Sequence, residues 1–341
     1  MNNNLKSCVY YFFNETDYKE KKNKNRHKIA TLDWFIKNEL TNILKIKNCV
    51  NYKSMFYIWE KNDPLRIAKY TNSFDYLDFG IDNTILLKYE DLELISLKNY
   101  LKALSSSKKY IYSVIYFYKS LLVSLQMLLE NQIVHNNICF DNILINKSID
   151  NPLITSFTFS LNLSSTDVDS HLRQIFISYD PTYYQWPPEF HLLSYLYTNK
   201  LESLSLLNIE SIINDIISNH DLLNTFGDSI VSIYREESIK YFSKYVNKNY
   251  KFLYNDIFQF SHTWDNYALS IMFLKILIFL HRSLNKQNKF IILFMKLLVG
   301  NINLNPEKRD LIDATTNKFE KILDSLDITD YLNLTQNLVF S

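Results

Sequence analysis

Glycine is nearly missing from this chain. Its 341 residues include three, Gly80, Gly227 and Gly300, where average usage of about 7% would give roughly two dozen. Glycine allows close backbone approach to a phosphate and left-handed turns without a Cβ clash. Three scattered glycines cannot build a loop that needs several together, so a glycine-rich phosphate cradle is excluded. Cysteine is scarce as well. Cys8, Cys49 and Cys139 are odd in number and far apart, which leaves no CxxC pair, no Cys/His zinc pattern and no disulfide framework. Free thiols in a reducing compartment are expected.

Charge of one sign is also lacking. Lys and Arg number 37 against 36 Asp and Glu, a net of +1. Proteins that bind nucleic acid or membrane surfaces usually carry a clear basic excess, so neither partner is expected. No long uncharged apolar run is present. Residues 110–129 are interrupted by Ser113, Lys119, Ser120, Ser124 and Gln126, and residues 267–280 are short and contain Lys275. A spanning helix needs about 20 apolar residues, so both segments read as buried core helices. Met1 to Lys6 is polar and rich in asparagine, without a secretory core. These features predict a cytoplasmic protein.

What is present is a large apolar and aromatic content, 47% and 15%, enough for a sizeable core. Tyr, Asn, Ile and Lys are abundant, a skew that suits an AT-rich genome. Residues 7–13 (SCVYYFF) read as a buried strand. Residues 17–28 form a charged loop. Thr31 or Asp33 can cap a helix to about Lys47, with Trp34, Phe35, Leu40, Ile43 and Leu44 at helical spacing. Strands are predicted at 55–60 and 84–89, with another near 66–70. From Leu97 onward helices dominate. A long apolar helix covers 110–130, brief strands follow at 143–145 and 153–155, and a buried helix covers 264–281. A last helix pair falls in 289–298 and 310–326. Strands first and helices later predict an α+β protein of two lobes.

The segment IVHNNICFDNILI, residues 133–145, resembles the catalytic loop of protein kinases, whose pattern is H-R-D-L-x-x-x-N before an apolar strand. His135 matches the His, Asn136 replaces the Arg, Asn137 replaces the catalytic Asp, and Asn142 keeps the metal-binding Asn. Ser156-Phe157-Thr158 falls where the family has D-F-G. Trp186-Pro187-Pro188-Glu189 resembles the A-P-E segment, and Asp265 the Asp that opens the central helix. Arg309 resembles the late Arg that pairs with the A-P-E Glu, and Glu39 the ion-pairing Glu of the mobile N-lobe helix. Residues 84–89 resemble the strand entering the hinge. The likeness covers about residues 7–326. The WPPE segment and the insertion are similar to those of kinase-like proteins from giant DNA viruses.

The resemblance implies a two-lobed kinase-like fold, with a reduced β-rich N-lobe over residues 1–89 and a helical C-lobe over 90–341. About seventy-five residues separate Glu189 from Asp265, so most of 200–260 is extra. Leu206, Ile209, Ile212, Ile213 and Ile216 recur there at helical spacing. The insertion reads either as a helical pad on the C-lobe or as a partner-binding module. Kinase catalysis is positioning plus electrostatics. Asn137 is no base, and Ser156 is a feeble ligand for a hard cation. If residues 7–13 are the Lys-bearing strand, tyrosines stand where the Lys belongs, and Lys28 is the rival candidate. Asn136 removes the Arg that anchors activation-loop phosphates. The retained residues have structural roles in the family. His135 and Phe157 stack in the spine, Asp265 receives catalytic-loop backbone donors, and Glu189 pairs with Arg309.

The expectation is therefore a catalytically inactive kinase-like scaffold or regulator that acts through a protein partner, with no cofactor and no metal. One alternative is a divergent serine/threonine kinase in which Asp141 stands in for the base and ATP and Mg²⁺ are used. Another is a nucleotide sensor without phosphotransfer. In either, Asn142 and Glu39 would be the residues left for the nucleotide side.

Overall fold

The computed structural model describes residues 94–147, 149–164, 179–283 and 288–336. It also describes the strands β1 (Tyr10–Phe12), β2 (Phe56–Trp59) and β3 (Leu86–Tyr89) and the helical residues Asn38, Asn42, Lys45 and Ile46. Glu39, Lys28 and the expected strand near 66–70 lie outside the described residues. The described chain is mostly helical with small antiparallel sheets, compatible with an α+β protein.

β3 is the middle strand of the first sheet, between β1 and β2, with Leu87 opposite both Tyr11 and Ile58. These strands fall inside the expected segments. The second sheet has the order β4 (Leu94–Ser96), β6 (Ile143–Asn146), β7 (Asn151–Ile154). Ile145 faces Ile95, and Leu144 faces Leu153. A two-residue ladder joins β5 (Ile133–Val134) to β8 (Leu161–Asn162). β4, β5 and β8 were not foreseen, and the β7 strand ends at Ile154, one residue before the expected end.

Ser96 caps the short helix α1 (Leu97–Ala103), and Ser106 caps α2 (Ser107–Glu130). Along α2 the buried side chains Ile111, Val114, Tyr118, Leu121, Leu125 and Leu128 recur every three or four residues, the stripe that drives an amphipathic helix onto a core. α7 (Trp264–Ser283) is buried on almost every side from Trp264 to Leu277 and lies at the centre of that core. The Tyr118 ring meets Phe273 of α7, Phe294 of α8 (Lys289–Asn301) and Phe319 of α9 (Ile312–Asp324) edge-on at 4.7–4.8 Å. Such edge contacts add about 0.5–1.5 kcal/mol each beyond area burial. A final helix, α10 (Ile328–Gln336), follows.

A second apolar cluster joins α3 (Pro188–Thr198) to the helices of residues 200–260. These are α4 (Leu206–Asn219), α5 (Asp228–Phe242) and α6 (Tyr250–Phe258). Ser205 and Asn208 form a reciprocal capping box at the start of α4. Its Ile209, Ile212, Ile213 and Ile216 are buried with Phe190 and Leu193 of α3. The periodic isoleucines thus form a helical layer on α3. α5 is anchored by few residues; Ser238 and Phe242 are its buried ones.

Scarce glycine leaves a mark on the backbone. Gln132, Asn136, Asp150, Ser156, Lys200 and Asn247 have positive φ, beside Gly227 at +86°. A left-handed residue with a Cβ costs about 1–2 kcal/mol, with Asn and Asp the most tolerant. Two helical segments, residues 107–130 and 261–283, are long and apolar enough to cross a membrane. Their most apolar stretches are 56% and 83% buried inside the protein.

Candidate functional site

The residues singled out from the sequence converge on the loop between β5 and β6. Asp265, on the first turn of α7, accepts the His135 N–H at 2.6 Å and the Asn136 N–H at 2.7 Å, one on each carboxylate oxygen. Two charge-assisted bonds fix the loop backbone. Burial pushes the Asp265 carboxyl up to about 6, against the pull of those two donors. The His135 ring is fully buried. Its Nδ1 accepts the Asn137 N–H at 3.3 Å, so Nε2 carries the proton and donates to the Thr155 carbonyl at 3.0 Å. Burial lowers its pKa to about 3, and the imidazole is neutral at ordinary pH. Its edge meets Phe157 at 4.8 Å and 76°.

Asn142 closes the other side of the loop. Its Nδ2 donates to the Asn137 carbonyl at 2.9 Å, and its own carbonyl accepts the Thr155 N–H at 2.8 Å. Ser156 follows at φ 66°, ψ 67°, a left-handed turn that sends the chain into the short helical turn Phe157–Phe159. Ser160 then donates its hydroxyl to the His135 carbonyl at 3.1 Å. Asp141 is exposed. Asn137, Asn142 and Ser156 are half-buried. Of the positions carried from the two motifs, Asn137, Asn142 and Ser156 offer neutral oxygens, while His135 is buried and its ring nitrogens are occupied.

The segment before α3 covers this loop. The Tyr183 hydroxyl donates to Oδ1 of Asn137, and the Trp186 indole N–H donates to the Asn136 carbonyl at 2.8 Å. Burial, the Cys139 thiol and the Asp141 carboxylate all raise the Tyr183 pKa, so its hydroxyl stays protonated as a donor. Beneath this cover His191 and His220 are buried, and burial lowers both to about 4. Tyr183 and Trp186 were not assigned these roles from sequence. The hints were that Trp186 opens the Trp-Pro-Pro-Glu motif and that Tyr183 lies three residues before it.

Glu189 and Arg309 meet as a bidentate pair, with side chains 1% exposed. The Trp264 indole N–H adds a third donor to Glu189 at 3.2 Å. Arg309 Nε donates to the Asn303 carbonyl at 2.7 Å, and the guanidinium lies over the Tyr267 ring. Although burial alone lowers the Arg309 pKa, Glu189 raises it on balance.

From the N-terminal part, Asn38 Nδ2 donates to the Ser160 carbonyl at 2.7 Å, and Lys45 Nζ reaches Asn162 Oδ1 at 2.5 Å. The helical residues around Asn38 are therefore fastened to the segment after Phe157. Among the described residues no three His, Cys, Asp or Glu side chains converge as metal ligands would. No protein-family profile and no curated protein matches this chain.

Proposed function

We propose that this chain is a protein-kinase-like protein without phosphotransfer, working as a scaffold or regulator through a protein partner. The sheets of the N-terminal part would be its reduced N-lobe, and α1 to α10 its C-lobe. One contact carries the reading: the side chain at the catalytic-base position is the Asn137 amide, and the Tyr183 hydroxyl already occupies its oxygen. An amide so held can neither take a proton nor turn toward a substrate hydroxyl.

Mg-ATP does not fit the residues present. Asn137, Asn142 and Ser156 bring no carboxylate to a hard cation, and three scattered glycines bring no phosphate loop. The kept contacts, Asp265 on the loop backbone and Glu189 on Arg309, are those that stiffen a fold. Framework contacts present without catalytic groups support a binding role over an enzymatic one.

The test is phosphate transfer by the purified protein with Mg²⁺ or Mn²⁺, beside an Asn142→Ala control, together with melting in millimolar Mg-ATP. A ligand at about 100-fold excess over its Kd stabilises by about 2.7 kcal/mol. The expected result is no transfer and no melting shift. Transfer abolished by Asn142→Ala overturns the proposal; a shift without transfer favours a nucleotide sensor.

A further inference from the structure

Lysines gather on one corner of the protein. Lys98 and Lys102 stand one turn apart on the outer side of α1, Lys108 and Lys109 open α2, and Lys147 follows β6. All five are exposed. The Tyr100 hydroxyl donates to Asp150 at 2.8 Å, and Lys109 Nζ lies 4.0 Å from the same carboxylate and over the Tyr100 ring. The first helix, the start of the second and the β6–β7 turn thus meet at Asp150. Among the described residues Asp150 is the one carboxylate within ion-pair reach of these lysines. Asp141, on the short turn packed against α1, is exposed and makes no ion pair with them.

The helices gain nothing from this charge. α1 and α2 have no acidic residue in their first turns, and Lys108 and Lys109 sit at the helix end whose dipole repels cations. Lys98 and Lys102, four positions apart, repel each other. The chain's total of +1 conceals this local excess. Two further side chains lie in the same corner. Ile149 is 65% exposed in the β6–β7 turn, beside Asp150. Tyr112 is 67% exposed on α2, one turn after Lys108, with its ring stacked on that of Tyr116 at 6.1 Å.

We propose that this corner is a docking surface for an anionic lipid bilayer. Lysine is a compact, hydrated charge without the planar fork of arginine, so five lysines suit a diffuse field of headgroups better than one fixed carboxylate or phosphate. An aliphatic side chain in a turn and a tyrosine beside it suit the boundary of headgroups and acyl chains, where Tyr is enriched and apolar side chains are buried. A nucleic-acid backbone would leave Ile149 in water. Lysines hold the surface of the bilayer by charge, and Ile149 enters its boundary. The inference does not depend on the kinase-like reading.

The experiment mixes the full chain with vesicles of phosphatidylcholine, or of phosphatidylcholine with about 30 mol% phosphatidylserine as the charged surface, and measures the bound fraction by flotation. Binding is expected on the anionic vesicles alone. It is expected to fall as salt rises from about 0.05 to 0.5 M, because screening shortens the reach of exposed charges. Changing Lys98, Lys102 and Lys108 together to Gln is expected to weaken binding about 100-fold, each lysine near such a surface being worth roughly fivefold, the equivalent of about 1 kcal/mol. Ile149→Ser is expected to weaken it roughly tenfold while the salt dependence stays. Changing Lys240, Lys248 and Lys251 to Gln removes the same charge from exposed positions on and between α5 and α6, and this variant should bind as wild type does. If the first triple variant does not fold, the three lysines are changed singly, each with a roughly fivefold loss expected. Equal binding to both vesicles, no binding to either, or an equal loss in the two triple variants would each overturn the proposal. So would retention on polyglutamate or duplex DNA without recruitment to anionic vesicles, which would give the corner to an acidic protein or to nucleic acid.

Discussion

Arg309 holds Glu189 with both arms of its guanidinium, Nη1 at 2.5 Å from Oε1 and Nη2 at 2.9 Å from Oε2, with water shut out from both side chains. The pair ties the first turn of α3 to the turn before α9, 120 positions later. Buried pairs of this kind gain little over an apolar substitute, but removing one partner strands the other charge. Arg309→Ala is therefore expected to cost about 3–5 kcal/mol, read by chemical denaturation. Replacing both partners together with apolar residues is expected to cost less than the single change. An Arg309→Ala protein as stable as wild type would show that the pair does not brace α3.

Acid should weaken the fold through three histidines. His135, His191 and His220 are buried, and burial holds them at about 3, 4 and 4, below the ordinary 6.5. Each binds a proton more readily unfolded than folded. Their contribution is thus fully present above about pH 6.5 and is lost as pH falls through 4. Near pH 5 three protons taken up on unfolding give a slope of about 4 kcal/mol per pH unit. Asp180 faces His191, His191 faces His220, and the neutral Thr155 carbonyl accepts from His135. Denaturation midpoints between pH 4.5 and 7 measure this, and His135→Gln is expected to flatten the curve. A stability independent of pH in this range would mean the rings are hydrated.

Asp265 works in the opposite sense. Burial raises its folded pKa to about 6 from an ordinary 3.8, so the folded state binds the proton more tightly. Its contribution is present below about pH 4 and is lost as pH rises through 6. The shift of about two units corresponds to something on the order of 3 kcal/mol. The destabilisation caused by Asp265→Asn is therefore expected to shrink between pH 4 and pH 7. Unfolding titrations of wild type and variant side by side decide it, and a constant difference would show that Asp265 is charged throughout.

Much of the site could be read from the sequence because its residues sit in short motifs with fixed spacing. The motifs group His135, Asn142, Phe157 and Asp265, and these residues do adjoin, although His135 and Asp265 are 130 positions apart. The helices α2, α4 and α7 were legible because their apolar residues repeat over many turns. β4, β5 and β8 were not, since two or three residues cannot display an alternation. The start of α3 could have been found from the prolines at its entry. The Tyr183 cover has no motif of its own in the sequence beyond its place shortly before Trp186. Its effect comes from one hydroxyl brought to one amide by the path of a non-periodic segment.

On the kinase-like reading proposed above, placing carboxylates at Asn137 and Ser156 should not give phosphotransfer. On that reading Asn137→Asp would supply the base and Ser156→Asp a metal ligand. Both changes should be tolerated. The Tyr183 hydroxyl can donate to a carboxylate as it does to the amide, and Asp accepts the left-handed backbone at φ 66° more readily than Ser does. Both positions are half-buried, where a new charge keeps part of its hydration. Yet clamping the reacting groups in line accounts for about 7–11 kcal/mol of barrier lowering, and two carboxylates provide none of that. A chain with three scattered glycines has no loop to hold the phosphates, and added negative charge without a balancing cation repels them. The Tyr183 bond would also hold the new carboxylate away from a substrate. The double variant is expected to fold, to bind Mg-ATP no better than wild type, and to transfer no phosphate. Melting curves, Mg²⁺-dependent nucleotide binding and radiolabel transfer on both proteins test this together. Robust transfer by the double variant would show that the phosphate-binding half is complete, and that catalysis was lost at Asn137 and Ser156 alone.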